Sequence, residues 1–122
     1  MQISSKNLSK QEEKQIHDQF ITLLSDLQNP QTFTTFANDF FTDTEKLVFA
    51  KRLAIAWLLH QGKSYQEIKD QLKVSSATIS SVAEIKNNPG ILIATEKIKT
   101  DKKFDQAAAK ITQIFEKLKI GQ

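Results

Sequence analysis

The stretch from Ser64 to Val82 holds the side chains of this sequence best arranged for a specific task, and the task is recognition rather than bond-making. Ser64 with Glu67 three residues on is a capping-box spacing, and it opens a short helix carrying Tyr65, Ile68, Lys69 and Leu72. Lys73-Val74-Ser75 breaks the apolar period, and a second helix starts at Ser75 or Ser76 with apolar positions at Ala77, Ile79, Val82 and Ala83. Two short helices across a three-residue turn predict a helix-turn-helix. Such a unit needs a miniature core, which Ile68, Leu72, Val74, Ile79 and Val82 would supply. Ser75, Ser76, Ala77, Thr78, Ser80 and Ser81 are then left small or hydroxylic. Serine and threonine are mediocre helix formers, so a run of them in one helix asks for a reason. A helix that enters the major groove, about 12 Å wide, needs slim polar leading turns with methyls available for thymine. The plainer reading is a helical hairpin whose hydroxyls merely face solvent. Before Lys86 this helix offers no arginine, lysine, asparagine or glutamine for bidentate base contacts.

Other chemistries find little to work with. The chain has no cysteine, which excludes disulfides, thiolate catalysis, zinc fingers and iron–sulfur clusters. Its two histidines, His17 and His60, are too few and too far apart to suggest a metal site, and its three glycines form no phosphate loop. There is no catalytic triad, and Glu67 and Glu84 are explained as a helix cap and a helix surface, so no enzyme is expected. At 122 residues, 39% hydrophobic and 25% charged, the composition is globular and fits one domain or a domain with an extension. No apolar run approaches the roughly 18–20 residues that cross a bilayer. The opening Met1–Lys6 lacks the apolar stretch of a secretory signal, so a cytoplasmic protein is expected. Charge is uneven: residues 1–61 carry 6 basic and 7 acidic side chains, residues 62–122 carry 11 and 7. A mild basic excess in the second half suits a nucleic-acid face.

The elements around the recognition unit have legible ends. Ser9 and Glu12 form a capping box for a first helix whose stripe is Ile16, Phe20, Leu23, Leu24 and Leu27. Asn29-Pro30 ends it and begins a second, with Phe33, Phe36, Ala37 and Phe40 better explained by core or dimer packing than by a ligand box. Thr42 and Glu45 cap a third helix that runs to Gly62 and is apolar on most sides, as a helix central to a domain is. Asn87-Asn88-Pro89-Gly90 is the clearest break. Beyond it Ile91 to Lys99 predicts a short helix, although Ile91-Leu92-Ile93 also suits a strand. Asp101 would cap a last helix with the stripe Phe104, Ala108, Ile111, Ile114, Phe115 and Leu118.

Phe41-Thr42-Asp43-Thr44-Glu45, Lys51-Arg52-Leu53-Ala54-Ile55-Ala56 and Leu58-Leu59-His60-Gln61-Gly62 resemble the Trp repressor family. So do Ser64-Tyr65-Gln66-Glu67-Ile68-Lys69-Asp70-Gln71-Leu72 and Ala77-Thr78-Ile79-Ser80. The sequence is most similar to the family's Trp repressor-like branch, small bacterial proteins with a Gly-Lys-Ser-Tyr-x-Glu-Ile stretch followed by Ala-Thr-Ile-Ser. The likeness covers about residues 41–83, with a looser helical likeness before it, and does not extend to the tail from Ile91. It implies an all-α, Trp repressor-like multi-helix fold, an intertwined homodimer, and recognition of double-stranded DNA by paired helix-turn-helices. A two-fold dimer would favour an inverted-repeat operator with half-sites about one helical turn apart.

Carried over position by position, the resemblance makes Tyr65, Gln66 and Lys69 the first-helix residues that approach DNA, and Ser76, Ala77, Thr78 and Ser80 the reading helix. Lys69 would anchor a phosphate, with Lys63 and Lys73 adding to it, and Ser75 and Ser81 complete the expected DNA-facing set. Thr42 and Arg52 fall on positions that hold the tryptophan co-repressor in the family. The second arginine, which would stack on the indole directly after Ser80, is Ser81 here, and the linker between Gly62 and Ser64 is one residue shorter. Losing that guanidinium removes a cation–π contact, so tryptophan is not the expected effector and no cofactor is implied. Arg52 is instead expected to pair with an acid such as Glu45 or to lie near DNA, and any small-molecule effector stays unidentified. The expected organisation is dimerisation helices over residues 1–40, a helix-turn-helix core over 41–86, and a helical extension over 91–122. The alternative is a helical protein–protein interaction module that uses the basic tail from Lys97 to Lys119.

Overall fold

The computed structural model of the chain describes residues 7–100. Within them lie six helices: α1 (Lys10–Asp26), α2 (Pro30–Phe40), α3 (Asp43–His60), α4 (Tyr65–Leu72), α5 (Ser76–Ile85) and α6 (Pro89–Thr100). The expected last helix from Asp101, and most of the basic tail, lie outside the described residues.

The chain divides into two compact units, one ending at Glu45 and one beginning at Lys46. In the first, α1 opens on a complete capping box. The Glu12 N–H donates to Ser9 Oγ at 3.1 Å and the Ser9 N–H donates to Glu12 Oε1 at 3.0 Å. Asn29 Oδ1 accepts from the N–H groups of Gln31 and Thr32, and Pro30 occupies the first helical position of α2, where its missing donor costs nothing. Phe20, Phe36, Phe40 and Phe41 form an aromatic cluster, with Phe36 stacked on Phe40 at 5.0 Å between ring centroids. Yet neither α1 nor α2 contributes a buried residue, and Ile16, Ile21, Leu23, Phe33 and Phe40 are all exposed.

Thr42 and Glu45 repeat the reciprocal cap at the start of α3, with bonds of 2.9 and 3.0 Å. The backbone N–H of Ser9 and of Thr42, followed by each hydroxyl, holds the Glu12 and Glu45 carboxyls below their ordinary value. A carboxyl whose folded pKa is lowered stabilises the fold above the unfolded value and loses that contribution as the pH falls through the folded one. The Ser9 and Thr42 amide resonances are therefore expected to titrate with midpoints below the ordinary glutamate value. Glu12→Gln and Glu45→Gln should abolish those titrations. Midpoints at or above the ordinary carboxylate value would show that the boxes do not persist in solution.

The second unit is built around the later turns of α3. Ile55, Ala56 and Leu58 are buried together with Ile68 of α4 and Ile79 and Val82 of α5, and Trp57, Leu59, Leu72, Val74 and Ile91 pack against them. α3 ends in a Schellman arrangement: the Gly62 N–H donates to Leu59 O and the Lys63 N–H to Leu58 O, with Gly62 at φ +80°. That positive φ is why glycine stands there. α6 is helical throughout, so the strand reading of Ile91–Ile93 does not hold. The expected break at Asn87–Gly90 is also shorter than the sequence suggests, because Pro89 and Gly90 belong to the first turn of α6. Proline is tolerated in a first turn, where no intrahelical donor is lost. No helix among the described residues is long and apolar enough to cross a membrane.

Candidate nucleic-acid interface

α4 starts at Ser64, whose Oγ accepts the Glu67 N–H at 3.1 Å, the serine half of the expected box. Its eight residues put Ile68 at 0% exposure into the core, and Leu72 packs alongside. Lys73 follows at φ 55°, ψ 55°, a left-handed conformation that costs a non-glycine residue roughly 1–2 kcal/mol. The turn tolerates it because the Lys73 N–H closes on Lys69 O at 2.9 Å and Val74 sits against the core. Lys51 of α3 adds a contact that spacing alone did not assign: its Nζ donates to Lys73 O at 3.4 Å. The only sequence signal for it is the adjacent basic pair Lys51-Arg52.

Ser75 then caps α5, its Oγ accepting the Thr78 N–H at 3.1 Å. Ile79 and Val82 point inward, while Ser75, Ser76, Ala77, Thr78, Ser80 and Ser81 are all exposed. At the far end, His60 Nε2 lies 2.8 Å from Lys86 O, tying the last residue of α3 to the end of α5. α5 is thus held at its start by the cap, at its middle by the core, and at its end by an imidazole. Of the flanking groups, Lys63, Tyr65, Gln66 and Lys73 are exposed and Lys69 is half-buried. The Gln66 amide donates to Asp70 Oδ1 at 3.0 Å, one turn along its own helix.

Thr42 and Arg52, the positions matched to effector binding by the resemblance, sit at the start and in the middle of α3. Thr42 is the cap of α3. Glu45 is spent on Thr42, and Arg52 makes no ion pair among the described residues, so the expected Arg52–Glu45 pair is not formed. Arg52 instead lines a small apolar cavity of about 220 Å³ with Phe49, Leu53, Ala56, Val82, Ile85 and Ile91.

A short helix set on a core, a tight left-handed turn, and a second helix presenting hydroxyls outward define a helix-turn-helix protein. The chain belongs to the Trp repressor family: the family model described as Trp repressor protein matches residues 15–91, which include all of α4 and α5. It is a family of non-enzymatic DNA-binding regulators. No curated protein and no solved structure matches the chain.

Proposed function

We propose that this protein is a repressor-like, sequence-specific DNA-binding regulator that grips an inverted-repeat operator as a homodimer, through the helix-turn-helix at residues 64–82. The observation that carries the reading is the exposed face of α5 from Ser75 to Ser81, mounted on the buried Ile68–Ile79–Val82 core. Lys63, Lys69 and Lys73 flank it and would neutralise phosphates, which fix register without reading sequence. Tyr65 and Gln66 would lie beside them, at the edge of the groove.

The dimer is supported by the first unit and by the early turns of α3. No residue of α1 or α2 is fully buried, and Leu47 and Val48 are about half exposed. Apolar surface left open in this amount marks an interaction face. Residues 1–40 would accordingly dimerise and 41–86 would bind DNA, with 91–122 an extension beyond them, in a bacterial cytoplasm on the nucleoid. Any effector would be a small molecule other than tryptophan, because Ser81 stands where the stacking arginine would be.

Selection of duplexes from a random pool by the full chain, at about 50 mM salt, tests the reading. An enriched inverted repeat with half-sites about 10 base pairs apart, centre to centre, is expected. Recovery of no duplex would overturn it and leave the protein-interaction module as the better account.

A further inference from the structure

We propose that the half-site is read mainly through thymine, whose C5-methyl groups meet the methyls of Ala77 and Thr78. The inference rests on the DNA-binding reading above and narrows it to a base.

It follows from an account of what α5 has left to offer. Ser75 Oγ accepts the Thr78 N–H and lies 3.0 Å from Thr78 Oγ1, so these two hydroxyls hold each other at the cap. Ser81 donates its hydroxyl to Ala77 O at 3.1 Å. Among the described residues, the Ser76 and Ser80 side chains make no hydrogen bond, and they stand one turn apart on α5, with Ala77 next to Ser80 around the helix. With Thr78 Oγ1 held at the cap, the γ-methyl is the part of that side chain left to meet a partner.

The bases then separate by chemistry. Guanine is best read by arginine or lysine, adenine by asparagine or glutamine, and cytosine by a carboxylate. α5 carries none of these before Glu84, near its end. On α4 one N–H of the Gln66 amide is donated to Asp70, which turns the side chain along its own helix. Thymine alone adds a methyl to the major-groove edge, and alanine and threonine are its apolar partners. Serine hydroxyls can donate or accept, so they tolerate whichever polar edge lies next to it.

The test replaces thymine by deoxyuridine, one position at a time, in duplexes selected by the full chain. That exchange removes the methyl and keeps every hydrogen-bonding group. The wild type should bind about fourfold more weakly at one or two positions of each half-site, the effect of one buried methyl-sized group. Thr78→Ser, which deletes the γ-methyl but retains the hydroxyl at the cap, should bind the thymine and deoxyuridine duplexes equally at one of those positions. Ala77→Gly should do the same at another, with its helicity checked by circular dichroism.

If selected duplexes bind but deoxyuridine changes nothing at any position, the inference is lost and the DNA-binding reading stands. If deoxyuridine weakens the wild type and both variants alike, the methyls are read by other residues and the assignment to Ala77 and Thr78 is overturned. If no duplex is selected, both readings fall together.

Discussion

Ile68→Ala will lower the unfolding free energy by about 2–5 kcal/mol, and DNA binding will fail with it. Ile68 is fully enclosed, in contact with the α3 and α5 contributions to the same cluster. Three methylene-equivalents are removed and a cavity is left, because α4 is tethered at both ends by its serine cap and by the Lys73 turn and cannot collapse inward. A domain of this size holds only about 5–15 kcal/mol in total, so the loss is a large share of it. Urea unfolding followed by circular dichroism gives the measurement, with the midpoint falling and the slope unchanged if folding stays two-state. Leu72→Ala should cost less, since Leu72 is only half-buried and already has solvent on one side. A change at Ile68 below about 1 kcal/mol would mean that the helix-turn-helix has no private core.

That core is legible in the sequence, but only in part. Ile68, Leu72, Val74, Ile79 and Val82 stand out because 3.6-residue periodicity and the turn at Lys73-Val74-Ser75 place them on facing stripes. Ile55, Ala56 and Leu58, the floor beneath them, did not stand out, because α3 is apolar on nearly every side and periodicity selects no face of such a helix. Capping signals fared best: Ser9, Asn29, Thr42, Ser64 and Ser75 each accept a backbone N–H close to the start of the following helix. They are local chemistry, so local sequence contains them.

Tertiary pairings are not local. The Lys51–Lys73 and His60–Lys86 contacts join residues 22 and 26 positions apart, through a side chain and a carbonyl that every residue possesses. Nothing in residue type marks which carbonyl is chosen. The same limit governs Arg52, where sequence offered a nearby acid as partner and the fold gives an apolar cavity. The hydroxyls of α5 were visible as a group, but which were spent on the helix itself and which remained was not.

Raising salt from about 50 to 200 mM will weaken operator binding by about 10³-fold, the loss expected when six phosphates are neutralised. The number comes from Lys63, Lys69 and Lys73 acting once in each half of a two-fold complex. Each cation placed on a phosphate releases condensed counterions, and the logarithm of affinity falls against the logarithm of salt with a slope near −0.9 per contact. Six contacts give a slope of about −5. Lys69→Ala removes two of them and should flatten the slope by about 2 while weakening all sequences alike. Lys51→Ala makes the contrast, because that ammonium is already directed at Lys73 O and should alter the slope far less. Fluorescence anisotropy on one labelled duplex at four or five salt concentrations is sufficient. A wild-type slope shallower than about −2 would leave the lysines as ordinary solvated charges and move the work of binding to α5. Because α5 bears no cation before Lys86, such a protein would hold DNA too weakly to regulate it.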